Sequence, residues 1–339
     1  ICEKISLAIT APFAIKEQKL HITCSIGAAL YPQDGADAAT LLKYADTALF
    51  RAKELGRNNS QFFSNEMNER ALERLKLENA LRSAIEKNQL ELHYQPLADL
   101  QTGQVAGLEA LCRWQHPELG MVPPTRFIAV AEECGLIMEI GEWVLRTTCQ
   151  HMRAWQDNGI AAIRVAINVS PRQFRDPLLA EKINAALSET GIEPRRLCLE
   201  ITENVLMQDT PSSEATLAKL KAIGVDLVLD DFGTGFSSLN YLKRFSFDKV
   251  KIDRAFVEDV VMNTDDGAIS KAIISMAHSL GIRVVAEGVE SEAQCDFLRR
   301  NMCDEIQGFL FSKTLAPAEM MIFLRDGHKL PDHLLRLPR

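Results

Sequence analysis

The sequence predicts an α/β protein, namely a TIM-like (β/α)8 barrel with one antiparallel strand, preceded by a partial α/β segment at the N-terminus. Residues 89 to about 325 alternate strand-like and helical runs, and eight strands in that span suit a closed barrel. Glycines follow several helical runs, as expected of C-caps that precede the next strand. No G-x-G-x-x-G motif follows an early strand, which disfavours an open doubly wound sheet.

The first 63 residues are predicted to form a helix, a hairpin, a second helix and a strand. Residues 13–31 hold two strand-like segments around a polar turn, and residues 38–55 have helical periodicity that ends at Gly56. This is too short for a complete α/β domain. Residues 64–88 are predicted to be a helical connector, because an apolar stripe runs through a charged segment that lacks Gly and Pro. The stripe consists of Leu72, Leu75, Leu81, Ala84 and Ile85.

The barrel domain is predicted over residues 89–330. Its strands are expected at residues 91–96, 105–113, 165–169, 197–202, 226–231, 250–253, 283–287 and 305–310. Helical runs lie between them, including a long one at 125–158 and a short one from Ser237. A Thr-Gly turn within residues 100–104 indicates that the first two strands form an antiparallel hairpin.

Composition limits the class of function and the cellular compartment. The formal net charge of −8 and the pI near 5.5 argue against a DNA-binding face, because neutralising many phosphates needs a basic surplus. The eight cysteines show no C-x-x-C spacing, which favours reduced thiols in the cytoplasm over a zinc site or disulfides. No run of eighteen apolar residues and no secretory start is present, so this segment is not expected to contact a membrane. Ile1 already lies in a helix-like pattern, which indicates a piece of a longer protein that could be membrane-anchored upstream.

Seven of the predicted strands carry a polar side chain at or just past the C-terminal end, where an apolar core would exclude it. In a closed parallel barrel these ends open on one face, so the side chains are expected to converge. Carboxylate and amide oxygens are ligands of hard divalent cations, so the set predicts a metal site. Its members are Glu109, Asn168, Glu200, Asp230, Asp231, Lys251, Glu287 and Gln307.

The adjacent carboxylates of Asp230 and Asp231 are the strongest signal in the set. At the end of a buried strand they repel each other at a cost of several kcal/mol unless cations are present. Two ions about 3.5–4 Å apart, bridged by Asp230, would satisfy the pair and clamp both sides of a phosphoryl transfer. Gly233 and Gly235 permit a tight loop directly after the pair. The alternative is a solvated Asp-Asp turn.

The other candidates also have structural interpretations. Glu109 could simply pair with the nearby Arg113, and Asn168 could hold a loop. Strand alternation directs Glu200 towards the metal and leaves Glu203, just beyond the strand, to hold a neighbouring loop.

Lys251 is the basic member of the set, and it alternates onto one strand face with Asp253. A lysine in a barrel mouth can orient an attacking water or neutralise charge on a phosphate. A structural ion pair with an acid is the alternative. The histidines have no metal-binding spacing, and no nucleophile elbow is present.

Residues 67–328 resemble the EAL-domain phosphodiesterases that act on cyclic di-GMP, and Glu109-Ala110-Leu111 is the triplet that names this family. No position that the family uses for metal or catalysis departs from its pattern, which argues against the degenerate, binding-only members. The other matching motifs are Tyr94-Gln95-Pro96, Arg113-Trp114, Asn168-Val169-Ser170, Glu200-Ile201-Thr202-Glu203, Asp230-Asp231-Phe232-Gly233-Thr234-Gly235, Lys251-Ile252-Asp253-Arg254, Ala286-Glu287-Gly288-Val289-Glu290 and Gln307-Gly308-Phe309.

The resemblance implies two sets of metal ligands and several catalytic and substrate-binding residues. One ion would be held by Glu109, Asn168, Glu200 and Asp230, and the second by Asp230, Asp231 and Glu287. Lys251 would position the attacking water, and Glu203 would hold the loop at residues 231–238. The catalytic residues would be Lys251, Glu109 and Glu203, with substrate contacts from Gln95, Arg113, Glu290 and Gln307.

Residues 1–63 resemble the C-terminal third of a GGDEF, or diguanylate cyclase, domain. The matching segments are Ser25-Ile26-Gly27, the run from Ala45 to Lys53, and Gly56-Arg57-Asn58. The signature loop and the nucleotide-binding half of such a domain are missing, so cyclase activity is not expected from this chain.

The resemblance implies a hydrolase of bacterial second-messenger signalling that converts cyclic di-GMP to linear 5′-pGpG with two Mg²⁺ or Mn²⁺ ions. A non-catalytic cyclic di-GMP receptor is the alternative, and an enolase-like barrel is weaker because it leaves the Asp pair unexplained. A homodimer is also expected, through the helix after the loop at 231–238. That helix carries Leu239, Tyr241, Leu242 and Phe245.

Overall fold

The computed structural model describes residues 1–15, 18–20, 22–203, 205, 210–233, 242 and 245–335. The chain divides into two compact units, Ile1–Ala80 and Leu81–Arg339. Within the described ranges, no helix is long and apolar enough to cross a membrane.

The first unit contains the predicted helix, hairpin, second helix and strand, together with one further short strand. Its elements are α1 (Cys2–Thr10), β1 (Phe13–Ile15), β2 (Gln18–Leu20), β3 (Ile26–Ala28), α2 (Ala38–Glu54) and β4 (Ser60–Phe62). β1 and β2 pair antiparallel, whereas β3 and β4 pair in parallel. The N-terminus of α2 is capped by Asp37, whose carboxylate accepts a hydrogen bond from Thr40 N at 2.9 Å.

The connector helix is shorter than predicted. α3 spans Asn65–Arg82, and residues 83–88 form turns. The chain there makes i→i−3 hydrogen bonds from Ala84 N to Leu81 O and from Asn88 N to Ile85 O. Asn88 has a φ of 53°, a left-handed conformation that directs the chain into the next strand.

The second unit contains a closed barrel of eight strands with one extra strand. The strands are β5 (Leu90–Asp99), β6 (Val105–His116), β7 (Gly120–Val122), β8 (Val165–Asn168), β9 (Leu197–Thr202), β10 (Asp226–Phe232), β11 (Lys249–Ile252), β12 (Arg283–Ala286) and β13 (Glu305–Gln307). Their order is β5-β13-β12-β11-β10-β9-β8-β6, and the pairing of β5 with β6 closes the ring. β5 is antiparallel to both neighbours and the other barrel pairings are parallel, which confirms the predicted antiparallel strand.

Helices cover the outside of the barrel. They are α4 (Pro124–Cys134), α5 (Ile137–Asp157), α6 (Pro171–Phe174), α7 (Leu179–Thr190), α8 (Thr210–Ile223), α9 (Arg254–Val257), α10 (Thr264–Ser279), α11 (Glu292–Arg300), α12 (Pro317–Arg325) and α13 (Asp332–Leu335). Capping boxes start two of them, with Ser170 and Gln173 at α6, and Ser291 and Gln294 at α11. These caps fix where the chain leaves the strand end and turns into the helix.

Several predicted boundaries were wrong. The helical region expected at 125–158 is two helices, because Gly135 adopts a φ of 88° and ends α4. β6 does not end at residue 113 but continues to His116, where it pairs antiparallel with the unpredicted β7. β13 ends at Gln307 and not at residue 310.

Candidate active site

Lys251 lies at the centre of the carboxylates at the C-terminal ends of the barrel strands. Its side chain is 1% exposed. Lys251 Nζ lies 3.0 Å from Glu200 Oε2, 3.3 Å from Glu109 Oε2 and 3.6 Å from Asp230 Oδ1, and it also forms an ion pair with Glu287. The predicted convergence on one mouth of the barrel is therefore present in the structure, with a single ammonium shared by four acids.

The parallel strand register explains why these side chains meet. Asn168 on β8 pairs with Glu200 on β9, and Asp230 on β10 pairs with Thr202 on β9. Glu109 lies in the middle of β6, but the parallel pairing of β6 with β8 extends only over Leu108–Ala110. Glu109 therefore lies one residue before the end of this parallel ladder, although its own strand continues.

The cation beside Glu109 is Lys251 and not Arg113. Arg113 Nη1 instead donates a hydrogen bond to Cys112 O at 3.0 Å. Arg113 and Glu109 are four residues apart on β6. Beyond Glu109 this strand continues, paired with β5 and then also with β7. The local ion pair considered from the sequence is replaced by one between residues 142 positions apart.

A β-bulge places the two adjacent aspartates on the same site. Leu229 pairs with Val250 and Phe232 pairs with Ile252, so Asp230 and Asp231 together lie opposite the single residue Lys251. Asp231 has a φ of 55°, in the left-handed region. Strand alternation would direct neighbouring side chains to opposite faces, and the extra residue of a bulge removes that alternation. One carboxylate oxygen each from Asp230, Asp231 and Glu287 consequently lies within 4.8 Å of the others.

Two amide side chains donate to the Glu109 carboxylate, and a third amide holds one of them. Asn168 Nδ2 donates to Glu109 Oε1 at 2.7 Å, and Gln307 Nε2 donates to Glu109 Oε2 at 2.6 Å. Gln307 Nε2 also lies 3.1 Å from Gln95 Oε1, and Gln95 Nε2 donates to Ser312 O at 3.2 Å. Because the chain of amides ends on the backbone, the orientation of Glu109 is set before any ligand arrives.

The acids exceed the positive charge available to them. Burial alone would raise the pKa of Glu109, but the Lys251 ammonium and the amides of Gln307 and Asn168 hold it below its usual range. Burial and repulsion by Glu109 raise the pKa of Glu200 well above its usual range. Burial would lower the pKa of Lys251, yet the surrounding carboxylates raise it well above its usual range. Lys251 is thus a permanent cation that neutralises only part of the cluster.

The pKa values of two carboxylates nearer the opening of the barrel are raised, as is that of Glu200. Burial raises the pKa of Glu287 to about 7, even though Lys251 lies beside it. Burial, followed by repulsion from Asp230 and Asp253, raises the pKa of Asp231 to about 6. Additional positive charge at this position would favour the ionised form of both groups.

A cleft of about 270 Å³ opens beside the carboxylates, and Glu109, Asp230 and Glu287 line it. Gln95, Gln307 and Glu290, which were predicted to contact substrate, also line it. Glu290 Oε1 lies 3.1 Å from Arg254 Nη2. Arg113 is absent from this lining, so its predicted phosphate contact is not tested by the cleft.

Five residues of the cleft were not predicted as site residues: Leu111, Arg254, Gly288, Gly308 and Phe309. Arg254 begins α9 directly after Asp253, whose carboxylate caps that helix by accepting from Ala255 N at 2.8 Å. Its position directly after a strand end was a signal in the sequence that Arg254 could belong to the site. Phe309 is 56% exposed beside Gly308, and the only signal in the sequence was an aromatic residue that follows a glycine at the strand end.

Two predictions fall wholly or largely outside the described residues. Glu203 is buried at the end of β9, but the loop it was predicted to hold includes residues 234–238. The predicted dimer helix includes residues 239–241, which also lie outside the described ranges. Of its apolar residues, Leu242 and Phe245 are described and are buried within the chain.

Comparison with known proteins assigns the family. The sequence pattern described as "EAL domain" matches residues 78–314, which is more than half of the chain. The chain belongs to the EAL-domain family. The pattern described as "Diguanylate cyclase, GGDEF domain" matches residues 1–59.

Named relatives of the chain include enzymes of cyclic di-GMP metabolism. The bifunctional diguanylate cyclase/cyclic di-GMP phosphodiesterase MucR of Pseudomonas aeruginosa is 44% identical over 322 residues, covering 95% of this chain and 47% of MucR. The cyclic di-GMP phosphodiesterase PdeR of Escherichia coli is 39% identical over 315 residues, covering 93% of this chain and 47% of PdeR. The chain thus spans less than half the length of these relatives.

A solved structure supports the barrel assignment. The MucR phosphodiesterase in complex with c-di-GMP superposes with a TM-score of 0.70 at 44% identity, over 72% of this chain and 99% of that chain. The EAL enzyme Bd1971 in a cAMP-bound form gives a TM-score of 0.72 at 29% identity, over 85% of this chain and 76% of that chain. Phosphodiesterases of this family are generally dependent on divalent metals.

Proposed function

We propose that this chain is a metal-dependent phosphodiesterase that hydrolyses cyclic di-GMP to linear 5′-pGpG in bacterial second-messenger signalling. The observation that carries the proposal is the arrangement of Glu109, Glu200, Asp230, Asp231 and Glu287 around the single buried ammonium of Lys251. The family membership and the named activity of MucR and PdeR support the same conclusion.

The residues at the strand ends fit divalent cations. The donors are all oxygens, which Mg²⁺ and Mn²⁺ prefer, and the cluster lacks enough positive charge of its own. We assign one ion to Glu109, Asn168, Glu200 and Asp230, and a second to Asp230, Asp231 and Glu287. When bound, such ions would supply the positive charge that stabilises a phosphoryl transfer and activates water.

The protein's own groups have separate parts in this reaction. Lys251 stays charged, so it would orient the attacking water or stabilise charge on the phosphate. Gln307 and Asn168 hold the carboxylate of Glu109, and Gln95 holds Gln307. Gln95, Glu290 and Gln307 would contact the substrate from the cleft that they line. Arg113 would contact a phosphate, and Glu203 would hold the loop at 231–238.

A direct assay tests the proposal. The chain is incubated with cyclic di-GMP and Mn²⁺ or Mg²⁺, and the products are separated by chromatography. We expect pGpG with either ion, no product with chelator, and no product from Glu109→Ala. Tight binding of cyclic di-GMP that is recovered intact from the metal-loaded chain would favour the receptor alternative.

We further propose that residues 1–63 are a fragment of a GGDEF-like domain, that 64–88 form the connector and that 89–330 form the phosphodiesterase barrel. All eight cysteines are free, which supports a reducing, cytoplasmic location. A homodimer through the helix after the loop at 231–238 stays a prediction. Sedimentation at micromolar concentration tests it, and a monomer as the sole species would contradict it.

A further inference from the structure

A second cleft, of about 610 Å³, lies at the opposite end of the barrel from the carboxylates. Residues 104–106 reach the start of β6, residues 158–164 precede β8, and Arg196 precedes β9. The fourth wall comes from the end of α12 and the residues that follow it. The N-terminal ends of these strands form it, so it is separate from the candidate active site.

The charge of this cleft is opposite to that of the chain as a whole. Arg164, Arg196, Arg325 and His328 line it, and none of the described residues that line it is Asp or Glu. The chain carries a formal net charge of −8, and the cleft at the other end of the barrel is lined by four acids. A concave surface of one charge sign focuses the field, so this cleft favours an anionic ligand.

Two of the guanidinium groups are held in place by ion pairs with acids that do not line the cleft. Arg164 Nε lies 3.2 Å from Asp226 Oδ2, and Arg196 Nε lies 3.5 Å from Glu193 Oε2. Both Nε atoms are buried, and neither has a hydrogen-bond partner in the part of the chain that the structure describes. The rest of each side chain reaches solvent, with 39% of Arg164 and 27% of Arg196 exposed. Oriented guanidinium donors at a cleft suit the oxygens of a phosphate.

Arg325 supplies a third guanidinium at the C-terminal end of α12. It is exposed, and among the described residues no acid forms an ion pair with it. Because its side chain is exposed, Arg325 is expected to tolerate replacement without disturbing the barrel.

Apolar side chains also line the cleft, beside the polar Gln104 and Asn158. Val105, Ile160, Ile163 and Leu324 contribute to it. A cleft of several hundred Å³ that combines apolar side chains with a few oriented polar groups is typical of small-molecule sites. We propose that this cleft binds a phosphorylated nucleotide, with the phosphate at the arginines and the ring system against the apolar wall. This site lies beyond the proposed phosphodiesterase activity and does not depend on it.

Calorimetric titration of the whole chain with guanosine monophosphate tests the proposal, in low salt and without divalent metal. We expect binding that Arg325→Ala weakens about tenfold or more, because a hydrogen-bonded charge pair with the phosphate is lost. Arg196→Gln should weaken it as well. Arg300→Ala is the matched control, since Arg300 is an exposed arginine paired with Asp296 on another face, and it should leave the affinity unchanged. Hydrolysis of cyclic di-GMP by Arg325→Ala should also be unchanged.

The opposing outcomes are equally specific. Equal affinities of the parent chain and of Arg325→Ala, with both folded by circular dichroism, would overturn the proposal. Loss of guanosine monophosphate binding in Asp230→Ala would place the nucleotide in the candidate active site instead. Inorganic phosphate that competes as well as the nucleotide would show that the apolar wall contributes nothing, which also contradicts the proposed ligand class.

Discussion

Lys249 and Lys251 lie two residues apart on β11 and meet opposite electrostatic conditions at the two ends of the barrel. Lys249 Nζ donates to both carboxylate oxygens of the fully buried Glu305, at 2.8 Å and 2.7 Å. Lys251 instead forms ion pairs with four carboxylates, and the carboxylate of Asp231 lies next to two of them. The ammonium of Lys249 is therefore paired with one buried carboxylate, whereas the ammonium of Lys251 faces more carboxylates than it can neutralise.

The balance at the lower end extends around its rim. Arg283 lies 3.1 Å from Glu305 and 3.1 Å from Asp99, and Arg164 pairs with Asp226 at 3.2 Å. In each of these pairs an acid and a base satisfy each other, which stabilises the closed barrel. The upper end keeps an excess of buried negative charge that a stability-driven core would not retain. These lower pairs stabilise the fold, whereas the acidic cluster at the upper end fits the divalent-metal dependence that is general in this family.

The largest expected difference between the two ends of the barrel is in catalytic activity, after substitution of one aspartate at each end of β10. Asp230→Asn removes an oxygen donor shared by both proposed ions, so we expect turnover of cyclic di-GMP to fall by roughly ten-thousandfold or more. Stability without metal should hold or rise, because one of the crowded charges is gone. Asp226→Asn at the lower end of the strand is the control and should retain turnover. Comparable activities of the two variants would show that the upper carboxylates do not serve catalysis.

Glu305→Ala should have the largest effect on folding. It leaves Lys249 buried without its carboxylate, and breaking a buried pair from one side costs about 3–5 kcal/mol. Urea denaturation measures the loss. Replacing both residues by methionine should recover most of the lost stability, because no charge is then left uncompensated. A double variant as unstable as Glu305→Ala would show that packing, and not charge balance, holds this end together.

The sequence predicted the barrel because each strand is a short apolar run that ends in a polar residue. Glu109, Asn168 and Glu200 could be assigned to one mouth from the rule that parallel strands share a direction. The partners of Lys251 could not, because they come from strands far apart in the chain and their distances depend on strand register. Sequence alternation also concealed the bulge at Asp231, since a bulge changes which face a residue occupies.

Residue spacing was a poorer guide where a partner lay close in the chain. Arg113 is four residues from Glu109 and was a reasonable counter-ion, but Lys251 takes that place. The Lys249–Glu305 pair joins residues 56 positions apart, and neither was predicted to have a role. Long-range pairs of this kind follow from the closure of the ring, which no local pattern contains.

The stabilisation of the protein by bound metal should depend on pH. The folded-state pKa of Asp231 is raised to about 6 and that of Glu287 to about 7, so each carboxyl group binds its proton more tightly in the folded protein. Without metal, these groups lower stability as pH rises from about 4 to about 7, because the unfolded chain ionises them more easily. Divalent ions favour the ionised forms, so the stabilisation by Mn²⁺ should grow over the same range.

Thermal melting at pH 5, 6, 7 and 8, with and without Mn²⁺, checks this expectation. At a free ion concentration about one hundred times the dissociation constant, the gain should reach about 2.7 kcal/mol at the higher pH. Asp230→Asn should show a much smaller gain. A stabilisation by Mn²⁺ that is equal at pH 5 and pH 8 would contradict the assignment of these carboxylates as ligands.

The smallest expected effect is the loss of stability when Arg283, a partly exposed arginine at the lower end, is replaced. Arg283 is 42% exposed, so its pairs with Glu305 and Asp99 are partly screened by water. Arg283→Ala should cost about 1 kcal/mol, well below the loss from Glu305→Ala, and added salt should reduce it. Arg153→Ala, which removes an exposed pair with Asp157, should be close to neutral by the same urea measurement. A loss from Arg283→Ala that equals that from Glu305→Ala would mean that Arg283, and not Lys249, is the essential counter-ion of the buried glutamate.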